Sequence, residues 1–161
     1  MASDYLLEID GIKGESSDSK LSGNLEISSF GWGCSNSGTS GAGGGGGAGK
    51  ASFSDISFHT GVSMASPLLM LACASGQHIK KAVLHVRKQG GTQEEYYTIK
   101  LEDVLVTSYR SGDAPGGAAA VEDSFSLNFT KISYDYKPQK ADGTLGSAVS
   151  AGYDVKKNAK I

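Results

Sequence analysis

The chain reads as a mainly β protein, a barrel of antiparallel strands with one short α-helix at its flank. Three features predict this. Apolar residues recur at period two through most of the chain, as in "YLLEI" and "AVLHVRK". Two long apolar runs change phase by one residue partway along. Such a slip is what a β-bulge produces, and bulges bend a sheet toward closure. Only one stretch, "ASPLLMLACASGQ", carries helix start and stop signals. With 161 residues the sequence suits one domain, 1–161, with a glycine-rich extended loop at about 35–50.

Taken in order, "YLLEI" is the first strand and "KGESSDSKLSG" a polar loop after it. "NLEISSFGWG" places Leu25 and Ile27 on one face and Phe30 and Trp32 on the other. Beyond the glycines, "KASFSDISFHT" reads as a strand rich in aromatic and β-branched residues between serines. The helix has Ser66 as its N-cap, Pro67 at the first helical position and Gly76 just past its end. Leu68, Leu71 and Ala72 share one face, which predicts a stripe packed on the core.

In "AVLHVRK", Ala82, Leu84 and Val86 alternate with Val83, His85 and Arg87, predicting an antiparallel sheet with one wet face. "KQGGTQ" marks a hairpin, because Gly90-Gly91 can take the positive φ of a tight turn. In "EYYTIKLEDVLVTSY" the parity of Tyr97, Ile99 and Leu101 gives way to that of Val104 and Val106. The same slip separates Phe125, Leu127 and Phe129 from Ile132, Tyr134 and Tyr136. "SGDAPGGAAAVED" is a loop, Asp142-Gly143 a turn, and Tyr153-Asp154-Val155 a last short strand before a basic end.

The formal charge is −2. No basic face calls for nucleic acid, and no acidic tail stands out. Acids exceed bases in the first thirty residues and bases exceed acids in the last thirty, a complementarity within one subunit or between neighbours. "MASDYLLEIDGIKG" has early acids and no apolar core, so it is not a secretory leader. "PLLMLACA" is far below the ~20 residues that span a bilayer. These features predict a chain made in the cytoplasm, not inserted in membrane, and exported, if at all, without a cleaved signal. Cys34 and Cys73 read as reduced, half-buried thiols, with a disulfide between them left open.

The search for chemistry ends without a catalytic set, a metal or a cofactor. Gly44 to Lys50 nearly spells a phosphate loop, but Ala51 stands where the metal-binding hydroxyl belongs and a strand pattern follows instead of a helix. Residues 35–49 hold no large side chain, so the loop cannot bury itself; it is either a tolerated insertion or a segment that lies along another subunit. His59, His78 and His85 lack ligand spacing to one another. Glu94-Glu95 reads as a solvated edge charge, and the "NFT" sequon at Asn128 as part of a buried strand. The aromatics have no interleaved bases and so make no nucleic-acid platform. What remains is a structural or binding role.

Several stretches in one order carry a resemblance: "IDGIKGES", "FGWG", "GGGGGAGK", "DISF", "ASPLLMLACASGQHIKKAVLHVRKQGG", "LEDVLVTSY", "SLNFTKISYDYKPQKADGTLG" and "AGYDVKKN". They span nearly the whole chain, and it resembles the haemolysin-coregulated protein family, the tube subunits of type VI secretion systems. The resemblance implies a fold like that of phage tail-tube proteins. It implies six-membered rings that stack head to tail into a tube, exported with a tip (VgrG-type spike) protein by a contractile sheath and carrying effector proteins in the lumen. By the same resemblance, Phe30, Gly31 and Trp32 are candidates for lumen and effector contact, with Gly31 where relatives often carry a small polar residue. Tyr153 stands where relatives commonly carry tryptophan. Gly44, Gly46, Gly49, Lys50, Gly112 and Asp113 are candidates for ring stacking. Strand edges around 79–88 and 125–136, with His85, Arg87, Tyr134 and Tyr136, are candidates for the lateral contact. The alternative is a monomeric β-barrel ligand-binding module, which the fold alone would permit.

Overall fold

The longest strand sets the architecture. The computed structural model describes residues 3–38, 50–89, 92–113 and 120–161. Its strands are β1 (Ser3–Ile9), β2 (Leu25–Gly31), β3 (Cys34–Asn36), β4 (Ala51–Phe53), β5 (Ile56–Gly61), β6 (Ile79–Lys88), β7 (Glu95–Asp113), β8 (Val121–Asn128), β9 (Lys131–Tyr136), β10 (Val149–Asp154) and β11 (Ala159–Lys160), with helix α1 (Ser66–Ser75) between β5 and β6. The 19 residues of β7 pair with β6 along one edge. Along the other edge they pair first with β9, over Tyr97–Glu102, and then with β8, over Leu105–Asp113. The β7–β8 pairing closes β7, β6, β1, β2, β5 and β8 into an antiparallel barrel. β9, β10 and β11 continue from the first half of β7 as a flap, while β3 and β4 form a separate two-stranded ribbon.

The phase change inside β7 falls at Asp103, which takes the left-handed region at φ 52°. The register with β6 runs unbroken across it, so a turn of the backbone and not an inserted residue lets Leu101 before it and Val104 after it both point into the core, while the register shift of β7 against β8 lies between Val106 and Ser108. The second slip has a different cause. The chain breaks at Phe129 and Thr130, and the two apolar runs are separate strands, β8 and β9. A bulge between Ile27 and Ser29 likewise overturns the predicted opposition of faces in β2, for Phe30 packs on the same core cluster as Ile27. "KASFSDISFHT" is also two strands, β4 and β5, which belong to different sheets.

Inside, the barrel is filled. Leu7, Leu25, Phe58, Leu84, Ile99 and Phe125 are among its fully buried side chains, and the Phe58 and Phe125 rings stack at 5.2 Å. Ala82, Leu84 and Val86 of β6 face this core as the alternation predicts. The opposite face of β6 is not wet. Val83 and Arg87 are both buried there, as is Leu6 of neighbouring β1. The β1–β2 connection is tied to that face by Asp18, whose carboxylate accepts from both Arg87 Nη groups at 2.6 and 3.1 Å. At the base of the connection Gly14 lies so close to Asn24 that an added Cβ would stand 2.5 Å from the Asn24 carbonyl oxygen.

Helix α1 ends as predicted, with Gly76 left-handed at φ 66° and its N–H donating to the Ala72 carbonyl. Its start and its inner face differ from the prediction. Ala65 is the N-cap, and Ser66, one residue further in, instead donates its hydroxyl to the buried carboxylate of Asp123. Tyr109 donates to the other Asp123 oxygen at 2.9 Å, so two hydroxyls satisfy this acid. The residues against the barrel are Ala65, Leu69 and Ala72, whereas Leu68 is 41% and Leu71 is 55% exposed. The helix is apolar on every side, so periodicity could not choose a face; two alanines let the backbone lie close to the sheet.

This orientation fixes a ranking. Leu69→Ala should destabilise the monomer by about 2–4 kcal/mol through the cavity it leaves. Leu71→Ala should stay within about 0.5 kcal/mol. Urea unfolding at low protein concentration measures both, and the reverse order would mean the helix lies the other way up.

Candidate assembly surfaces

No residue from Val62 to Gln77 is charged. Within this stretch Val62, Met64, Leu68, Met70 and Leu71 are exposed, and Val121 lies beside Val62 through a backbone hydrogen bond of 3.4 Å. Single exposed apolar residues are ordinary, but an uncharged group on one element is a candidate contact surface. Leu68 and Leu71, one turn apart, share its outer face. The signal was present in the sequence, since a helix on the flank of a soluble barrel ordinarily carries charge outward and α1 carries none.

A second exposed apolar group lies on the flap. Tyr136 of β9 and Val149 of β10 stand directly opposite each other across the two strands, and both are exposed, as is Ile161. The two groups are unlike in shape and element, one helical and one on a sheet.

Between barrel and flap runs a collar of aromatic rings. Tyr5 meets Phe30 at 5.4 Å, Phe30 meets Tyr97 at 5.7 Å, and Tyr97 meets Tyr134 at 4.8 Å. Trp32 stands edge-on to Tyr134 at 5.6 Å and donates its indole N–H to the Tyr97 hydroxyl at 3.0 Å. Burial pushes the Tyr97 hydroxyl up to about 12, so it stays neutral. On the other side Phe53 stacks on Tyr153 at 5.4 Å and meets Phe129 edge-on at 6.1 Å.

The predicted site residues divide among these settings. Gly31 is exposed at the end of β2, while Phe30 and Trp32 are half-buried in the collar. Gly44, Gly46 and Gly49 lie outside the described residues, as does the Gly90-Gly91 turn. Lys50 is exposed and leads into β4 with no helix to receive a phosphate, so the glycine spacing has no nucleotide-binding context. Gly112 and Asp113 belong to the end of β7, paired with Glu122 and Val121, and not to a loop. Tyr134 is half-buried in the collar and Tyr136 is exposed. The strand edges predicted for the lateral contact are not free. β6 is paired on both sides by β1 and β7, β8 by β5 and β7, and β9 by β7 and β10.

His85 and Arg87 are both engaged within the chain. Arg87 is 3% exposed, bound to Asp18 with Asp4 3.8 Å away. That guanidinium holds the Asp18 carboxyl well below the usual carboxylate range, aided by the backbone N–H groups of Lys20 and Leu21. His85 has a side chain 15% exposed, with Nδ1 2.8 Å from Glu95 and Nε2 3.4 Å from Glu8. Only the doubly protonated ring can donate to both carboxylates. Burial pulls the imidazole down, but the hydrogen bond and charge of Glu95, then those of Glu8, outweigh it and raise its pKa. Glu95, read from sequence as a solvated edge charge, is half-buried and also accepts the Thr98 hydroxyl at 2.6 Å.

Three smaller sequence readings change. Cys34 is exposed where a half-buried thiol was predicted, Cys73 is half-buried, and both are free thiols. Asn128 is exposed at the end of its strand and donates to Asp55 at 2.9 Å. Of the acids in the first thirty residues, Asp4 and Asp18 find a partner in mid-chain at Arg87 and Glu8 at His85. Among the described residues no helix is long and apolar enough to cross a membrane.

Comparison with known proteins adds the following. The family described as "Type VI secretion system effector, Hcp" matches residues 6–136. The protein Hcp1 of Pseudomonas aeruginosa is 41% identical over 162 aligned residues, which cover 99% of each chain. A solved structure of a type six secretion system protein superposes with a TM-score of 0.92 at 28% identity, over 99% of this chain and 100% of the other. Crystal structures of Hcp1 from Salmonella typhimurium and of a type VI secretion system effector from Yersinia pestis, each 32% identical, give TM-scores of 0.80 and 0.75. They cover 100% and 94% of this chain respectively, and all of their own.

The His85 contacts make stability depend on pH. A raised folded-state pKa means that the folded chain holds its proton longer, so the stabilisation is full below the ordinary value of 6.5 and is lost as pH rises through the folded value. Stability should therefore fall from pH 6 upward, by at most about 1.4 kcal/mol per pH unit for one proton. His85→Gln should flatten that slope. Denaturant midpoints at a series of pH values check it, and an unchanged slope in the variant would assign the dependence elsewhere.

Proposed function

The chain belongs to the Hcp family of type VI secretion proteins, and from that premise we propose that it forms the wall of the secretion tube. Six copies close head to tail into a ring, rings stack into a tube, and the tube leaves the cytoplasm with the tip protein inside a contractile sheath. Effector proteins travel in the lumen.

The observation that carries this reading is the pair of unlike apolar surfaces on one chain. A ring needs heterologous contacts, in which one patch of each subunit meets a different patch of the next. The uncharged outer face of α1 is one such patch, and Tyr136 with Val149 on the flap is the other. Strand edges at 79–88 and 125–136 cannot add a neighbour's strand by backbone pairing, because both sides are already bonded. Lateral contact is thus assigned to side chains on α1 and the flap, with Tyr136 the lateral candidate that remains exposed. Stacking is assigned to the glycine-rich segment around 35–50 and to the end of β7 at Gly112 and Asp113, and cargo contact to the surface about Gly31.

The rival, a monomeric ligand-binding barrel, would have to take its ligand on the outside. The barrel interior is occupied by Leu7, Phe58, Phe125 and their neighbours. The family is one of structural secretion proteins, and we assign the chain no catalytic step.

Native mass spectrometry and negative-stain imaging should find six-fold rings of the unaltered protein. The double variant Leu68→Asp with Leu71→Asp places unpaired charge in the proposed contact and should weaken ring formation by about 100-fold or more. A protein that stays monomeric at high concentration would remove the proposal. Intact rings in the double variant would remove α1 from the lateral contact.

A further inference from the structure

A cavity of about 350 Å³ opens on the outer face of the barrel, between the β1–β2 connection and the strands beneath it. Asp4 and Leu6 of β1, Glu26 of β2 and Arg87 of β6 line its sheet side, and Ser16 and Asp18 its cover. The register places Leu6 opposite Glu26 and Asp4 opposite Arg87. Asp4 and Glu26 are therefore diagonal neighbours on one face, roughly 7 Å apart, with Leu6 beside both.

The walls are held in place by the protein itself. Asp18 accepts from both Arg87 Nη groups and also from the N–H groups of Lys20 and Leu21, each at 2.9 Å. Gln89 Nε2 donates to one Asp4 oxygen at 2.9 Å. The Thr60 hydroxyl donates to the Glu26 carbonyl at 2.6 Å, which fixes β2 there. Three polar groups are nonetheless left over. The Glu26 carboxylate has no partner among the described residues. The second Asp4 oxygen stands 3.8 Å from Arg87 Nη2, beyond hydrogen-bond reach. Arg87 is 3% exposed, yet its Nε has no acceptor. Buried donors without partners are uncommon in folded proteins.

These unfilled groups define what fits. Arg87 offers a donor while Asp4 and Glu26 offer acceptors, so the ligand must both accept and donate, as a hydroxyl does and a bare ammonium does not. Three carboxylates against one guanidinium repel an anion and favour a positive charge. Among the described residues no three His, Cys, Asp or Glu side chains are placed to hold a metal ion, so an organic group has to bring that charge. A hydroxyl beside Arg87 and Asp4 can accept from the one and donate to the other, while an ammonium roughly 7 Å away reaches Glu26. We propose that this cavity binds a small hydroxylated amine, an amino sugar in class, with its ammonium on Glu26 and a hydroxyl between Asp4 and Arg87. The site goes beyond the tube reading and is independent of it, since no residue of α1 or the flap lines the cavity.

Isothermal titration calorimetry of the unaltered protein with glucosamine, at a pH where the amine is protonated, tests this. Glucosamine should bind saturably, at least about tenfold more tightly than glucose, which lacks the charge, or cyclohexylamine, which lacks the hydroxyls. Glu26→Gln and Asp4→Asn should each weaken it about tenfold, the effect of one hydrogen bond to a charged group. Glu102→Gln, which alters an exposed acid outside the cavity, should leave binding unchanged. Glu26 is exposed, so its variant decides the matter if Asp4→Asn fails to fold. Equal binding of cyclohexylamine would mean a merely acidic surface and overturns the proposal. So does the absence of saturable glucosamine binding, or binding that Glu26→Gln leaves intact. None of these results touches the tube reading, and a protein that forms no rings would not touch this site.

Discussion

One strand serves two sheets, and the rest of the molecule follows from how it does so. β7 gives its first half to β9 and its second half to β8, while β6 lies along its other edge. A strand with strict alternation could not do this, because a change of partner without a change of phase would turn half of its apolar side chains outward. Asp103 supplies the change of phase by entering the left-handed region, where aspartate is better tolerated than most side chains. The barrel closes on one side of this kink and the flap departs on the other.

Closure also determines where function can reside. A small barrel filled by Leu7, Leu25, Phe58, Phe125 and their neighbours has no room inside for a ligand, and each of its six strands is paired on both sides. Whatever the protein recognises must meet its outside. There the uncharged face of α1 and the Tyr136–Val149 pair are apolar surfaces left over after the core is complete. The helix is held by Ala65, Leu69 and Ala72 and by the Ser66–Asp123–Tyr109 hydrogen bonds, so its larger side chains remain free to point away. A carboxylate that is buried and doubly hydrogen-bonded fixes position more than it adds stability. That suits an element whose outer face has to be presented at a defined place.

Arg87 and His85 sit on the outer face of β6 beneath the β1–β2 connection and its neighbours, each between carboxylates. They pin a polar connection to the barrel. The chain's near-neutral balance is thus partly resolved within the chain itself. Contacts that lack strong charge depend on fit and apolar area, and respond less to salt than paired charges do.

By itself the sequence determined the strand periodicity, the single helix with its Pro67 and Gly76 boundaries, the irregularity between Leu101 and Val104, and the family. These are local properties, carried by side-chain alternation, by residues that tolerate only certain backbone angles, and by motifs in fixed order. The tertiary structure alone decided which face of α1 is buried, because a helix apolar all round has no preferred side until a sheet is laid against it. It alone showed that the outer face of β6 is covered, since Asp18 and Arg87 lie 69 residues apart and nothing local announces their meeting. It also decided which strands have free edges, and that Trp32 and Phe53 close on Tyr97, Tyr134 and Tyr153. Each is a contact between distant segments, and a linear pattern encodes the partners of such contacts without saying how they are joined.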